Sequence, residues 1–417
     1  MDTNAVTTKF KKAFPALTHR NFQYYWFGQC ISMIGTWMQR TAQLWLVYTL
    51  TSSPLLLGLI GVGQFAPVLL FTLFAGVLVD RYSKKKVIII AQIALMVQAF
   101  LLSLLVWSGH VRYWHVFVLA LISGMANTVD MPARQSFIIE LVGRSDLTNA
   151  ISLNSSVMNL ARIIGPAVSA ILMDRYGAAL CFLLNGLSFI PVIFGLAMTK
   201  PIVSNIKAVP KKMLADIWDG LNYIFTRPIL LMPVLAVLFV GTFSMNTNII
   251  FPVFSDQVLH QGVRGYGLLL SAMGTGSLIS ALVLAARAQV RSSPQRKTIY
   301  ISAFSIAFFQ ISTSFIKSLP LALFNVLLLG AVNIVFMNSA NSMIQLNSSD
   351  EYRGRAMSVY TLCFAGTTPL GNLFAGSIMQ KFGSSMGLLM CGIATGFPML
   401  ILLYHFYKSE KKEVTAK

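Results

Sequence analysis

The chain has 417 residues, 56% of them apolar and only 11% charged, yet it carries 32 Lys and Arg against 13 Asp and Glu, for a net charge of +19. A soluble globule has nearer a quarter of its residues charged, so this balance makes lipid the solvent. The basic residues are spread over many short segments and not clustered on one domain, which argues against a nucleic-acid footprint.

A hydrocarbon core about 30 Å thick needs about 20 apolar residues at helical rise. Runs of that length predict twelve spans, at residues 22–48, 55–79, 86–108, 114–139, 149–173, 178–199, 229–254, 265–286, 298–316, 320–346, 356–380 and 385–407. The first apolar run is too long, and too polar at its end, for a signal peptide, so no cleavage is expected. Cys30, Cys181, Cys363 and Cys391 fall singly within spans, without metal or disulfide spacing.

Orientation follows from Lys and Arg, which are enriched in cytoplasmic loops. Lys9, Lys11, Lys12 and Arg20 precede span 1; Arg81, Lys84, Lys85 and Lys86 follow span 2; Arg144 follows span 4. Lys200, Lys207, Lys211, Lys212 and Arg227 follow span 6, and Arg287, Arg291, Arg296 and Lys297 follow span 8. Arg353, Arg355 and the tail lysines complete that side, whereas the opposite loops hold only Arg112, Arg175, Arg264, Lys317 and Lys381. Both termini are therefore expected in the cytoplasm, in a multi-pass protein of the inner (plasma) membrane.

Similarity at an offset of 206 residues organises the chain into two halves: Gly35-Thr36 matches Gly241-Thr242, Gly165 matches Gly371, and Ala150 and Ser152 match Ala356 and Ser358. Asp174-Arg175-Tyr176-Gly177 likewise answers to Gln380-Lys381-Phe382-Gly383. The expected organisation is a tail over 1–21, a six-helix bundle over 22–199, a linker over 200–228, a second bundle over 229–407 and a tail over 408–417. Within the linker, apolar residues at helical spacing from Met213 to Phe225 predict an interfacial amphipathic helix.

Span 2 ends Gly76-Val77-Leu78-Val79-Asp80-Arg81-Tyr82-Ser83-Lys84-Lys85-Lys86. Gly76 allows close helix approach, Asp80 at the membrane edge needs a cationic partner or a helix N-terminus, and the lysines hold the loop on the basic side. This order of residue types resembles the signature of the major facilitator superfamily between spans 2 and 3, and the resemblance covers nearly the whole chain, from Phe22 to about Tyr407. Ser83 stands where that family usually has glycine, and no acid in the loop after span 8 answers to Asp80. In span 5, Asn159-Leu160-Ala161-Arg162-Ile163-Ile164-Gly165-Pro166 resembles the antiporter motif of the family, with Ser169 and Ala170 in place of its glycine pairs. Trp37-Met38-Gln39-Arg40-Thr41-Ala42-Gln43 and Asp130-Met131-Pro132-Ala133-Arg134-Gln135 look more narrowly like the branch of enterobactin exporters and macrolide efflux proteins. The resemblance implies an all-α membrane fold of twelve helices in two pseudo-symmetric halves, a gating role for Gly76, Asp80, Arg81, Lys84, Lys85, Gly165 and Pro166, and export of a small organic molecule.

Charged side chains at bilayer depth are costly and mark pathways. Four stand out, Arg40, Asp130, Arg134 and Arg162, all in the N-terminal half. At 1.5 Å per residue Asp130 and Arg162 lie about 15 and about 18 Å from the basic face, so they can meet, while Arg134 is one turn from Asp130 on the same face. Burial disfavours an ionised carboxyl and a neighbouring guanidinium favours it, so a helix movement that separates them changes proton affinity. Asp130 is thus expected to carry the coupling proton, with Arg134 or Arg162 holding its charged form; a permanent ion pair fixing span 4 against span 5 is the alternative. Three Arg against one Asp make a formally positive cavity that suits carboxylate, phenolate or hydroxamate groups. Arg40, Gln43, Asn246, Asn333 and Asn338 are the expected substrate-binding residues, although amides in spans also serve as interhelical glue.

No phosphate-cradling loop of an ATP-driven pump is present, and the five histidines are scattered, which disfavours a membrane enzyme. The expected protein is a secondary carrier, with no cofactor or metal, that takes a small molecule and protons, acts as a monomer in lipid and works by alternating access. A facilitator or an importer of an anionic metabolite is the alternative. The charge asymmetry makes a direct prediction in a cysteine-free background: Gly109→Cys reacts with an impermeant maleimide added to intact cells, and Ser204→Cys reacts only after permeabilisation. The reverse pattern would invert the topology.

Overall fold

The computed structural model describes residues 14–200, 213–287 and 296–415, and it is helical throughout apart from short turns. A single turn of 3-10 helix at Pro15–Thr18 leads into α1 (Arg20–Thr51), α2 (Pro54–Arg81), α3 (Lys84–Trp107), α4 (Tyr113–Val142), α5 (Leu147–Tyr176) and α6 (Ala178–Met198). After the linker helix α7 (Met213–Phe225) come α8 (Pro228–Ser244), α9 (Thr247–Gln257), α10 (Gly262–Arg287), α11 (Arg296–Phe315), α12 (Leu319–Asn347), α13 (Asp350–Ala365) and α14 (Thr368–Thr415). Among the described residues ten stretches are long and apolar enough to cross a membrane. The last of them, Glu351–Phe406, joins two crossings through Gly383, and α1 is long enough to span but relatively polar.

Two spans expected as single helices are interrupted. Span 7 breaks between α8 and α9 at Met245-Asn246, where the Asn246 amide donates to the Thr242 carbonyl at 2.8 Å and competes with the helical ladder. Span 11 breaks between α13 and α14 at Gly366-Thr367, just before Pro369, which has no N–H to continue the helix. The turns that match in the two halves have the same backbone reason. Gly177 (φ 78°) and Gly383 (φ 84°) both adopt the left-handed region that a side chain would strain.

The chain forms two compact units, residues 1–43 with 70–209, and residues 44–69 with 210–417. In the first, α3 packs on α4 and α6, and α6 on α5. Its core includes Phe22, Tyr25, Ile88, Phe137 and Leu196. A buried amide ladder ties three helices: Asn185 of α6 donates to Gln39 of α1, which donates to Gln98 of α3, each at 2.8 Å. At one end Lys84 pairs with Glu140 at 2.5 Å, and Lys85 donates to the carbonyls of Ala197 and Thr199 at 2.8 Å, satisfying the C-terminal end of α6. Arg81 is exposed, and the side chains of Gly76 and Asp80 lie outside the described ones.

In the second unit α12 runs against α10 and α11, and α14 against α8 and α11. The linker helix buries Tyr223 and Ile224 in this core and exposes Trp218 and Phe225; Tyr223 stacks on Tyr352 with ring centroids 4.3 Å apart. The tip of α1 belongs here: Tyr48 donates to Asp256 at 2.7 Å, and Trp45 stacks on Tyr266. Where α10 meets α12 the backbones touch, because a Cβ on Gly276 would lie 1.9 Å from the Leu327 carbonyl and one on Gly330 would lie 2.0 Å from that of Met273. Overpacking costs about 1–3 kcal/mol and here meets rigid backbone. Gly330→Leu should therefore lower the melting temperature of the purified protein by several degrees. Gly354→Ala, which meets nothing within 4 Å, should leave it level or raise it.

Candidate functional site

Three helices of the first unit place one carboxyl in a shell of polar partners. Asp130, in the middle of α4, is 7% exposed and Arg134, one turn further on, is 9% exposed. The Arg134 Nε donates to Asp130 Oδ2 at 2.6 Å, and the Gln92 amide of α3 donates to the other carboxylate oxygen at 3.1 Å. From α1, Tyr25 and Gln29 complete the guanidinium's shell: Arg134 donates to the Tyr25 hydroxyl at 3.2 Å and to the Gln29 side-chain carbonyl, and its Cζ lies 5.7 Å from the Tyr25 ring centroid. Tyr25 is itself held edge-on by Phe137 of α4. The charges survive burial because each is paired and further hydrogen-bonded. One atom is left over: Gln92 Oε1 is buried with no hydrogen bond.

Of the two arginines that depth allowed as partners, Arg134 is the one beside Asp130. Arg162 of α5 lies elsewhere, its Cζ 5.2 Å from the ring centroid of Trp37, which also has the Arg40 Cζ at 5.1 Å. Gly165 makes this contact between helices possible. A Cβ there would come within 2.6 Å of the Trp37 Cβ and 3.1 Å of the Ile34 carbonyl. Pro166 beside it is buried, as is Gln43.

The amides expected to bind substrate divide. Asn246 and Asn333 are buried, and each donates to the carbonyl four residues back in its own chain, Thr242 at 2.8 Å and Leu329 at 3.1 Å. Asn338 is exposed. Tyr25, Gln29, Gln92 and the part played by Trp37 were not singled out from sequence. Gln92 and Gln98, two amides in the otherwise apolar span 3, were the available signal.

A family model described as "Transmembrane secretion effector" matches residues 11–416. The chain belongs to that family, within the major facilitator superfamily. It is 23% identical to a staphyloferrin A transporter of Staphylococcus aureus over 89% of this chain and 93% of that protein. It is 25% identical to the multidrug efflux pump Tap of Mycolicibacterium fortuitum (86% and 88%) and 21% identical to macrolide efflux protein A of Streptococcus pyogenes (89% and 92%). The solved nucleoside transporter NupG superposes with a TM-score of 0.73 at 11% identity, over 93% of this chain and 98% of that one. A D-xylose-proton symporter gives 0.73 at 12%, over 91% and 97%. The member described here is thus a multi-pass membrane transporter of small molecules with the twelve-helix major facilitator fold, and not an enzyme.

Removing one partner of a buried ion pair costs about 3–5 kcal/mol, because the other charge stays behind. Arg134→Gln should therefore destabilise the family member strongly in detergent melting experiments. Adding Asp130→Asn should restore part of the loss, a coupling of about 1–3 kcal/mol. Additive losses would show that the two groups do not depend on each other.

Proposed function

We propose that this transporter exports a small organic molecule, siderophore-like or drug-like, across the inner membrane in exchange for protons. Both termini face the cytoplasm, and the chain works as a monomer in lipid by alternating access. The carrying observation is the Asp130 site, a buried carboxyl on a span whose two oxygens are engaged separately, one by a guanidinium and one by an amide. When Asp130 takes a proton, the guanidinium loses its counter-charge and its hold weakens. Gln92 is suited to both states, since its unused Oε1 can accept from the carboxyl O–H after an amide rotation. Tyr25 and Gln29 keep Arg134 solvated while the carboxyl is neutral.

Gly165-Pro166 and the names of the multidrug and macrolide efflux relatives support the outward direction. Outward transport by an antiporter needs a proton site that empties on the cytoplasmic side. Asp130 lies near the inner half of α4, with the α1 residues Tyr25 and Gln29 close to the inner end of their helix.

The test uses everted membrane vesicles supplied with labelled erythromycin and, separately, a labelled hydroxycarboxylate siderophore. Accumulation of at least one should require an acid vesicle interior and collapse with a protonophore, and Asp130→Asn should abolish it while sparing counterflow exchange. Unchanged proton-driven accumulation in the Asp130→Asn protein removes that residue from coupling. Accumulation only in right-side-out vesicles makes the chain an importer.

A further inference from the structure

Asp130 neutralises Arg134, which leaves Arg162 as the membrane-embedded arginine to be explained, and it converges with Arg40 on one ring. Trp37 and Arg40 are three residues apart on α1, and Arg162 reaches the same indole from α5, so the guanidinium carbons stand 5.1 and 5.2 Å from a shared centroid. A guanidinium in a low-dielectric region needs a counter-charge or hydrogen-bond acceptors. Among the described residues Arg162 has no carboxylate within ion-pairing reach, and its Nε is buried without a hydrogen-bond acceptor. A charged donor left unmet inside a membrane protein is expensive and needs a reason.

The triplet is also reachable. Trp37, Arg40 and Arg162 each keep part of their surface exposed, and Arg40 sits nine residues beyond Ile31, which is about 180° round α1 from the exposed apolar positions Phe27 and Ile31. On α5 a polar stripe, Ser152, Ser155, Asn159 and Arg162, follows helical spacing; its first two members are exposed and the other two half-buried. The Ser152 hydroxyl donates to the Thr148 carbonyl, whereas Arg162 at the end of the stripe calls for a polar surrounding.

We propose that Arg162, with Trp37 as its floor and Arg40 beside it, is the recognition site for a planar organic anion on the substrate: a carboxylate, phenolate or hydroxamate joined to a flat or apolar body. The guanidinium fork offers paired donors to two oxygens, the indole face carries the flat part, and the incoming negative charge supplies the counter-charge that Arg162 lacks among the described residues. Arg162 is then a specificity residue and has no share in holding the proton, which stays with Asp130 and Arg134. The proposal rests on the transport reading for its physiological meaning, yet it is testable without transport.

The experiment makes Trp37 the sole tryptophan by replacing Trp26, Trp45, Trp107, Trp114 and Trp218 with Phe in the full chain, and measures fluorescence quenching by iodide and by neutral acrylamide. Iodide should quench at least threefold more effectively than in Arg162→Gln, acrylamide should be equal in both, and Arg162→Lys should keep most of the iodide effect. Iodide quenching that ignores Arg162, or a Trp37 reached by neither quencher, overturns the assignment. Should the five substitutions prevent folding, the protein with all six tryptophans is melted with salicylate and with uncharged salicylamide. Salicylate must stabilise it more, Arg162→Gln must remove the difference, and equal shifts overturn the proposal. Failure of the export reading would show separately, as accumulation indifferent to a protonophore.

Discussion

Lipid offers no hydrogen bonds, so every ionised or amide group placed at bilayer depth must find its partner inside the protein or in a wet cavity. That constraint sorts the polar residues of this transporter. Asp130 and Arg134 satisfy each other and draw in Tyr25, Gln29 and Gln92. Lys84 and Lys85 at the boundary spend their charge on Glu140 and on the carbonyls ending α6. Gln39, Gln98 and Asn185 form a chain of amides among themselves. Arg162 differs from these charged groups, since its buried Nε has no hydrogen-bond acceptor among the described residues.

The duplication of the chain explains why its glycines sit where they do. Gly165 lets α5 touch α1, and Gly371, its counterpart 206 residues on, lets α14 touch α8, where a Cβ would lie 1.8 Å from the Thr242 carbonyl. Ala150 and Ala356 are both fully buried, while Ser152 and Ser358 are both exposed and donate to the carbonyl four residues back. The halves diverge in chemistry on this common frame. One keeps charges, and the other has amides that turn back onto their own helices.

Span number and family were legible because apolar run length and the order Gly, Asp, Arg, Lys are one-dimensional signals. The helix breaks at Met245-Asn246 and Gly366-Thr367 were not, since the apolar run continues across both. Depth arithmetic placed Asp130 and Arg162 at similar heights but says nothing about which way each helix face is turned. The spacing of four between Asp130 and Arg134 does carry that information, and it names the pair the fold contains. Trp37 carries no such signal in the sequence, because an aromatic in a span usually packs; only the approach of α5 at Gly165 brings a second guanidinium to its ring.

The division into compact units cuts through two unbroken helices, α1 between Gln43 and Leu44 and α2 between Leu69 and Leu70. Within the second unit the far tip of α1 is held by the Tyr48–Asp256 hydroxyl–carboxylate bond together with the Trp45–Tyr266 stack. One helix thus packs its opening turns into one core, around Phe22 and Tyr25, and its closing turns into another.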